Sequence, residues 1–393
     1  MSIKGRKYET THYWIKFMLD VREVSYKLWL LLGAAESKCQ HLRGIPLRPS
    51  KQEELNQVSL RRGVRATTAI EGNMLHERDI EKIQRGEEAE MPRSRAYQVQ
   101  EVKNMLEVYN GVASELSKGK GNGVSLRQLL ADNGVIMSGL ELQEGERPGR
   151  IRTYPVGVAD YLGAPAEDCE YLLERLFEWL SLDWGMSSEH PIVEGILKAI
   201  IAHVYIAWIH PFGNGNGRGA RVLEFRILMG AGVPFEAAHL LTSYYNETRE
   251  EYYEKLKRSS RKENGEVEFI EYAVQGFVDG LDREIKSILE EQVKVTWESY
   301  VNEYFFKEKQ TVALSRRREL LLEISENEQA MSLSDMKRRL PDKILKSYQG
   351  SVKMLSRDIK YLERMGLIHV VGDGYIASKE KMKAFIPLKE LNN

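Results

Sequence analysis

Apolar residues recur at three- and four-residue spacing along most of the 393-residue chain, which predicts a mainly helical protein. Glycine and proline cluster in a few connectors instead of interrupting these segments. Helices are predicted over 12–40, 51–71 and 97–138, and again from about 168 to about 290. The hydrophobic pattern therefore indicates a mainly α fold, to which sheet contributes little.

One segment departs from the helical pattern. Between Ile151 and Val158, β-branched and aromatic residues alternate roughly with others, and glycines flank them. This pattern predicts a small β-hairpin over about 149–157, whose exposed edge is able to pair with an extended peptide. Arg150 and Arg152 are candidates for contact with phosphate, but arginines in such loops are mostly solvated, so both are expected to face water.

The end of the chain differs from the rest in charge. Residues 311–393 hold 16 Lys+Arg and 11 Asp+Glu, a net of +5, whereas the whole chain has a net charge of −1. Three helices are predicted there, followed by two short apolar runs around an Asp-Gly turn, which is a hairpin signal. This order resembles a winged helix-turn-helix domain, which implies a DNA or protein partner.

These observations predict four regions: a helical N-terminal region at 1–96, a core at 97–290, a linker helix at 291–310 and a winged helix-like domain at 311–393. The two cysteines form neither a disulfide framework nor a metal cluster, so a cytoplasmic location is expected. Polar and charged residues interrupt the most apolar run, Ile192 to Ile209. We therefore expect a buried helix there and no membrane partner.

A short glycine-rich turn between two apolar helices has the composition of an anion site. It reads HPFGNGNGRGAR from His210 to Arg221. Its glycines let backbone N–H groups converge at the start of the second helix, where the helix dipole favours a negative ligand. Arg218 and Arg221 add guanidinium groups suited to phosphate oxygens, and His210 can accept a proton near neutral pH. We therefore predict phosphoryl or nucleotidyl chemistry here, in preference to a plain connector.

This turn resembles the signature of the Fic family, His-x-Phe-x-(Asp/Glu)-Gly-Asn-Gly-Arg-x-x-Arg. The matching residues are His210, Phe212, Gly215, Asn216, Gly217, Arg218 and Arg221. The preceding helix, AIIAHVYIAWIHPF, and the tyrosine-rich stretch over 243–256 are also similar to those of the family. The resemblance covers about residues 60–280 and implies a helical Fic core with a β-hairpin flap.

The resemblance implies a protein adenylyltransferase, which moves AMP from ATP to a Ser, Thr or Tyr hydroxyl of a target protein or of the enzyme itself. His210 would be the catalytic base. The nucleotide phosphates would bind at Gly215, Asn216, Gly217, Arg218 and Arg221. A lysine in place of Gly217 would resemble the family's kinase-like branch, so glycine favours nucleotidyl transfer.

Asn214 departs from the family pattern, which usually has Asp or Glu at this position. A carboxylate there is expected to hold Mg²⁺, a cation that prefers oxygen ligands. Asn214 offers only a neutral carbonyl oxygen. The resemblance thus implies Mg²⁺ as a cofactor. Asn214 leaves three alternatives: the protein binds the metal weakly, the phosphates alone retain it, or the activity is low or different.

The second predicted helix ends on a glutamate, Glu71, followed by Gly-Asn. A carboxylate at that end opposes the helix dipole by about 0.3–1 kcal/mol unless a cation compensates. The stretch resembles the family's inhibitory (Ser/Thr)-x-x-x-Glu-(Gly/Asn) helix, here about 54–71, with Thr67 at the hydroxyl position. The resemblance implies that Glu71 pairs with Arg221 and occupies the place of the ATP γ-phosphate.

Three functions stay open on the sequence. The first is an AMP transferase restrained by Glu71. The second is a DNA-associated regulator whose nucleotide domain senses without catalysing, which Asn214 and the basic C-terminal region favour. The third is a transferase with another nucleoside triphosphate or a diphosphate-linked donor. His210 favours an enzyme, because a sensor needs no general base.

Other candidate residues are assigned to the core. His203 lies on an apolar helix and is expected to be a hydrogen-bonded core histidine. Tyrosines in the 243–256 stretch are able to stack on adenine, but tyrosines on helices more often pack against neighbouring helices. The histidines show no zinc-binding spacing, so no zinc site built by the protein is expected.

Overall fold

The computed structural model describes residues 5–20, 24–87, 91–119, 124–158, 161–261, 265–308, 311–327 and 329–383. The chain is mainly helical and forms two compact units, Met1–Ile285 and Lys286–Asn393. In the first unit the helices are α1 (Tyr8–Thr11), α2 (Tyr26–Gly44), α3 (Pro49–Ile70), α4 (Glu77–Gln84), α5 (Ala96–Ser117), α6 (Leu126–Ile136), α7 (Cys169–Ser181), α8 (Pro191–Ile209), α9 (Asn216–Gly230), α10 (Phe235–Ala238), α11 (Leu240–Glu247) and α12 (Arg249–Ser259). Two 3₁₀ turns, Arg93–Arg95 and Ala166–Asp168, precede α5 and α7.

Helices α8 and α9 form the centre of the first unit. Nearly every residue of α8 is buried, in agreement with its apolar composition. Gly195 lets α9 approach closely, because a Cβ atom at this position would overlap the side chain of Ala231. Among the described residues, α8 is the one helix with the length and composition to cross a membrane, and it is mostly buried inside the protein.

Helix α3, which contains the predicted inhibitory stretch, packs against α5, α10 and α11. Its contact with the segment between α10 and α11 depends on Gly63, since any Cβ there would collide with the buried ring of His239. Ile70 ends the helix, and Glu71 is its C-terminal cap. This packing carries Glu71 to the α8–α9 connection.

The β-hairpin is shorter and later in the chain than predicted. Strand β1 (Gly157–Val158) pairs antiparallel with β2 (Tyr161–Leu162), with Val158 opposite Tyr161. Residues 151–156 form no strand because the backbone N–H of Arg152 donates to the carbonyl of Pro211, at 2.9 Å, and not to a neighbouring strand. Arg152 therefore binds the α8–α9 connection. The hairpin lies further along the chain, where the carbonyl of Val156 accepts from the N–H of Gly163 at 3.0 Å.

The second unit has its own core. Its elements are α14 (Val312–Ser325), α15 (Leu333–Arg339), α16 (Asp342–Ser347), α17 (Val352–Arg364), β3 (Ile368–Val371), β4 (Gly374–Ala377) and α18 (Glu380–Lys383). Leu320, Met336, Ile359 and Leu362 are buried within this core. Met331, between α14 and α15, forms an isolated antiparallel bridge to Tyr375 of β4.

The three helices and the hairpin predicted after residue 311 are present, and α16 is an addition that the sequence pattern missed. The described part of the predicted linker helix lies largely within α13 (Gly265–Phe306). Trp297, Val301 and Phe305 of α13 belong to the core of the second unit. The winged-helix assignment stays a prediction.

Candidate functional site

Helix α8 ends at a strained residue. His210 adopts the left-handed conformation (φ 51°, ψ 58°) and its N–H donates to the carbonyl of Ile206 at 2.9 Å. For a residue other than glycine this conformation is costly, so the surrounding structure must hold it in place. This backbone conformation places the His210 side chain at the start of the turn that leads into α9.

The side chain of Asn216 closes this turn. Its Oδ1 accepts from the N–H of Phe212 and its Nδ2 donates to the carbonyl of Phe212, both at 2.8 Å. Both halves of the amide are therefore used within the protein. What Asn216 can offer a ligand is its backbone N–H at the start of α9.

Gly215 precedes α9 in the left-handed conformation, with φ 79°. A Cβ there would lie 2.9 Å from Nδ2 of Asn133, which itself donates to the carbonyl of Asn214 at 3.1 Å. The first N–H groups of α9 have no acceptor within the helix. As predicted, a helix N-terminus follows the glycine turn and provides backbone donors for an anion.

The ion pair predicted between Glu71 and Arg221 is formed. Oε1 of Glu71 lies 2.6 Å from Nη2 of Arg221, whose side chain is 1% exposed. Thr67, also predicted, accepts from Nε of Arg221 through its hydroxyl at 2.8 Å and from Nη2 through its carbonyl at 3.1 Å. Burial by itself would raise the pKa of Glu71, but the Arg221 guanidinium holds it below its usual value.

The carboxylate of Glu71 also covers the start of α9. A Cβ atom on Gly217 would lie only 2.6 Å from Oε1 of Glu71. Glycine is therefore the residue that lets the carboxylate approach this helix N-terminus. The carboxylate occupies the position at which the sequence places an anionic ligand.

Tyr253 fixes the end of α3 and was not singled out for this role by the sequence. Its hydroxyl donates to the carbonyl of Ile70 at 3.2 Å, next to Glu71. The ring is 44% exposed. Tyr252 is buried and stacks on Tyr245, which is also buried. Tyr245 and Tyr252 are therefore core residues, in agreement with the packing role that tyrosines on helices more often have.

Arg218 lies in a buried polar cluster. Its Nη1 donates to Oε1 of Glu101 at 2.7 Å, and the two residues are 2% and 3% exposed. Oε2 of Glu101 accepts from Asn73 at 2.8 Å. Glu101 was not predicted from the sequence, where its signal is a carboxylate on the mostly apolar buried face of α5. The carboxylate of Glu101 therefore holds the Arg218 side chain in place.

The donor set at Asn214 does not match what Mg²⁺ prefers. Oδ1 of Asn214 accepts from the N–H of Gly215 at 2.7 Å and from Nη2 of Arg218 at 3.1 Å. A cation at this neutral oxygen would lie against a guanidinium group, and hard cations favour carboxylates. The described residues contain no group of three or more His, Cys, Asp or Glu side chains able to hold a metal ion.

Arg152 is buried, at 4% exposed, in contrast to the solvated loop arginine that the sequence predicts. Its Nε donates to the carbonyl of His210 at 2.6 Å. Arg150 is exposed, as predicted. The sequence could not distinguish the two, because the acceptor of Arg152 lies 58 residues further along the chain.

The environment of His210 favours its neutral form. Burial lowers the pKa of His210 to about 4, and the positive charge of Arg152 assists it, although a hydrogen bond to the backbone of Ala207 and the Glu71 carboxylate act in the opposite direction. At neutral pH the imidazole is therefore unprotonated and available as a base. His203 is a core residue as predicted, buried and 3.0 Å from the hydroxyl of Tyr252.

Comparison with known proteins agrees with this geometry. The Fic/DOC family pattern matches residues 124–228. The protein adenylyltransferase Fic of Nematostella vectensis is 36% identical over 104 residues, covering 25% of this chain and 23% of that protein. The protein adenylyltransferase fic-1 of Caenorhabditis elegans is 36% identical over 108 residues, covering 28% and 19%. The chain thus spans about a quarter or less of the length of the curated relatives it matches.

Solved structures extend the likeness to the fold. A Fic family protein from Desulfovibrio desulfuricans superposes with a TM-score of 0.55 at 17% identity, covering 92% of this chain and 98% of that chain. Fic-1 of C. elegans superposes with a TM-score of 0.56 at 23% identity, covering 67% and 73%. The predicted fold class, a mainly α Fic fold, is confirmed.

Proposed function

Because the chain contains a Fic/DOC domain, we propose that it transfers AMP from ATP to a Ser, Thr or Tyr hydroxyl of a protein. The observation that carries this proposal is the juxtaposition of a neutral His210 with the N-terminus of α9 and the side chains of Arg218 and Arg221. Backbone donors and two guanidinium groups stabilise the charge of a transferring phosphoryl group. The base beside them fits an attack by a hydroxyl group.

In the proposed reaction, the target hydroxyl oxygen forms a bond to the α-phosphorus of ATP. The bond from that phosphorus to the oxygen bridging to the β-phosphate breaks, and pyrophosphate leaves with the electron pair. An imidazole nitrogen of His210 takes the hydroxyl proton. Such catalysis consists mostly of positioning and charge stabilisation, which the α8–α9 turn is suited to provide.

The same geometry supports autoinhibition by Glu71. Its carboxylate pairs with Arg221 and covers the start of α9, so a triphosphate and Glu71 compete for one set of donors. Two like charges at this place repel each other. We expect ATP to bind in an unproductive arrangement until Glu71 is displaced.

For the metal, we propose that Mg²⁺ accompanies the triphosphate and is not held by a protein carboxylate. Support comes from Asn214, whose side-chain oxygen already accepts two hydrogen bonds. When bound, Mg²⁺ would reduce the charge of the phosphates. Asn214→Asp should strengthen Mg²⁺ binding, because it supplies a carboxylate. The measurement is a lower Mg²⁺ concentration at half-maximal transfer. No change would contradict this proposal.

The test of transfer uses the Glu71→Gly protein and ATP labelled separately at the α and γ phosphates. Label retained on protein only from the α position, and lost when His210→Ala is added, supports nucleotidyl transfer. Glu247→Gly is the matched control, because Glu247 also ends a helix and pairs with an arginine, Arg283, at 3.2 Å. Retention of γ label would overturn AMP transfer, and equal rates in Glu71→Gly and Glu247→Gly would overturn inhibition by Glu71.

A second candidate function is duplex DNA binding by the C-terminal unit, favoured by a basic stripe on α17. Lys353, Arg357, Lys360 and Arg364 follow one another at spacings of four, three and four residues, and all four are exposed. Positions so spaced lie on one face of a helix, over about 17 Å of its length. Leu355, Ile359 and Leu362 are buried instead.

The cations of this stripe have no carboxylate partner in the part of the chain that the structure describes. Among the described residues, no carboxylate oxygen lies within 4.0 Å of these four cations, and Arg364 contacts the ring of Tyr361 at 5.7 Å. Phosphate backbones attract such free cations and release counterions when they bind. We propose that this function accompanies the transferase activity and does not replace it.

The test measures binding of a fluorescent mixed-sequence duplex against salt concentration. A quadruple change to glutamine at 353, 357, 360 and 364 should reduce the slope of log K against log salt by about 3.6 if each cation meets one phosphate. The matched control replaces the exposed cations Lys27, Arg78, Lys118 and Arg127 with glutamine. An equal slope in the two quadruple variants would reject the α17 stripe as a DNA surface.

A further inference from the structure

Arg152 is a buried cation whose hydrogen-bond partners, among the described residues, are all backbone carbonyl groups. Its guanidinium donates to the carbonyl groups of Tyr154 at 2.7 Å, Ala164 at 2.5 Å, Ile209 at 3.3 Å and His210 at 2.6 Å. Within the described residues, no carboxylate oxygen lies within 4.0 Å of it. Buried arginines ordinarily pair with acids, so this arrangement calls for a different explanation.

The four acceptors come from two parts of the chain. Tyr154 and Ala164 flank the β1–β2 hairpin, while Ile209 and His210 end α8. A second connection runs beside them, from the backbone N–H of Arg152 to the carbonyl of Pro211 at 2.9 Å. One side chain therefore ties the base of the hairpin to the residue that the proposed reaction uses as its base.

The contact with His210 involves the group that defines its conformation. His210 is left-handed, a conformation that persists in a residue other than glycine only where the surroundings enforce it. The short hydrogen bond from Nε of Arg152 fixes the direction of the His210 carbonyl, and hence its ψ angle. Charge-assisted hydrogen bonds of this kind are the stronger ones, so Arg152 can help to hold the left-handed conformation.

Gly163 leaves this assembly no spare room. A Cβ atom on Gly163 would lie 2.8 Å from the Cβ of His210 and 3.0 Å from Nη2 of Arg152. The backbone just after β2 therefore lies directly against the Cβ of His210. A movement of the hairpin would be transmitted to His210 through this contact and through the Arg152 hydrogen bonds.

We infer that Arg152 is a positioning residue: it holds His210 in its left-handed conformation and couples the hairpin to it. This inference rests on the proposed function, in which His210 is the base. Arg152 does not touch the reacting atoms, and acts through the backbone of His210. The hydrogen bonds of Arg152 to the hairpin make the orientation of the base depend on the hairpin's position.

The charge of Arg152 affects the pKa of His210, which a residue that only packs against the site would not do. The charged groups that act on His210 are Arg152 from the hairpin segment and Glu71 from the end of α3. Burial lowers the pKa of His210, and the Arg152 charge lowers it further, whereas Glu71 raises it. Removing the Arg152 charge should therefore raise the pKa of His210 from about 4 towards its ordinary value.

The test compares Arg152→Gln with Arg150→Gln, its exposed neighbour, both in the Glu71→Gly protein. We expect Arg152→Gln to lower kcat at least about tenfold with KM for ATP changed less than about twofold. The His210 imidazole resonance, identified by its loss in His210→Ala, should titrate at a higher pH in Arg152→Gln than in the parent. Arg150→Gln should change neither quantity.

The titration requires no turnover, so it separates the two hypotheses. Absence of transfer in the Glu71→Gly protein would count against the proposed function and leave the titration decisive for Arg152. An unchanged His210 titration in folded Arg152→Gln would overturn the inference.

If Arg152→Gln does not fold, Gly163→Ala decides in its place: it keeps the Arg152 charge but displaces the hairpin from His210. Its kcat should fall with KM for ATP retained, and an unchanged kcat would overturn the coupling.

Discussion

Cationic side chains are buried around the α8–α9 turn and exposed along α17, and the two regions differ in how these cations are balanced. Arg218 and Arg221 are 2% and 1% exposed, and each meets a carboxylate. Arg357 and Lys360 of α17 are exposed. The first pair is held in fixed geometry by its partners, whereas the second pair faces the solvent.

The comparison shows how burial separates two uses of the same side chains. A buried arginine with fixed partners can orient a phosphate or a backbone group to within a fraction of an ångström, which catalysis needs. An exposed cation contributes to long-range attraction and is screened by salt. We therefore expect chemistry at the α8–α9 turn, and association at α17 that depends on ionic strength.

The largest expected effect tests whether the α8–α9 turn carries the chemistry. His210→Ala should reduce AMP transfer between about a hundredfold and about ten-thousandfold, the range of a general base. ATP binding should be retained, because backbone groups and arginines hold the phosphates. Both are measured in the Glu71→Gly protein, by α-label incorporation and by calorimetry.

His41→Ala, at an exposed histidine of α2, is the control for this experiment. Duplex binding by His210→Ala should equal that of the parent, since the stripe on α17 is unchanged. Full transfer activity in His210→Ala would remove the proposed base. A loss of duplex binding in the same variant would contradict the separation of the two regions.

A stability measurement sharpens the contrast between buried and exposed arginines. Arg226, 1% exposed, donates to Glu115 at 2.5 Å and to both oxygens of Asp132 at 3.0 and 3.1 Å. Arg226→Gln should lower the free energy of unfolding by about 3–5 kcal/mol, because it leaves a buried carboxylate unpaired. Urea denaturation checks this value.

Arg357→Gln provides the matched exposed case for the same measurement. It should change the free energy of unfolding of the unit that contains it by no more than about 0.5 kcal/mol. Each unit is followed by a probe of its own, because two units need not unfold in one step. Equal losses for Arg226→Gln and Arg357→Gln would refute the distinction.

The same distinction explains which parts of the site could be predicted from the sequence. Glu71, Thr67 and Arg221 belong to two motifs, so their contact could be predicted although 150 residues separate Glu71 from Arg221. Helices and the C-terminal hairpin could be predicted from periodicity and the Asp-Gly turn. These features depend on residues close to one another in the chain or on motifs.

Arg152 and Glu101 could not be placed in the same way. Their roles arise from burial by helices and turns that lie far away in the sequence, and nothing adjacent distinguishes Arg152 from the exposed Arg150. The hairpin was predicted too early for a related reason. In this segment, the backbone N–H of Arg152 donates to the carbonyl of Pro211 in the α8–α9 connection, so a tertiary contact overrides local propensity there.

A buried histidine, His239, makes the stability of the folded protein depend on pH. Burial lowers the pKa of His239 to about 3, and among the described residues its ring nitrogens have no hydrogen-bond partner. Above the unfolded value of about 6.5 the ring is neutral in both states and has no effect. As pH falls from there towards 3, the unfolded chain binds a proton that the folded protein refuses, so stability is lost.

His239→Phe should remove this component of acid sensitivity. The free energy of unfolding of the variant should fall less steeply between pH 6.5 and pH 4, by about 1.4 kcal/mol per pH unit. Urea denaturation at a series of pH values measures the slope. His369→Phe, at an exposed histidine of β3, is the control. Parallel curves for His239→Phe and the parent would show that His239 takes up a proton as readily in the folded protein as in the unfolded chain.

The smallest expected effect concerns a single exposed cation. If the α17 stripe meets DNA phosphates, Arg357→Gln should reduce the salt slope of duplex binding by about 0.9, with the loss in affinity similar for all duplex sequences. That uniform loss is what a phosphate contact predicts, whereas a contact to a base edge would change the sequence preference. Arg127→Gln, an exposed arginine of α6, should leave the slope unchanged. A changed sequence preference in Arg357→Gln would keep α17 as a DNA surface but turn Arg357 from a screened surface charge into a residue held in fixed geometry, as the arginines around the α8–α9 turn are.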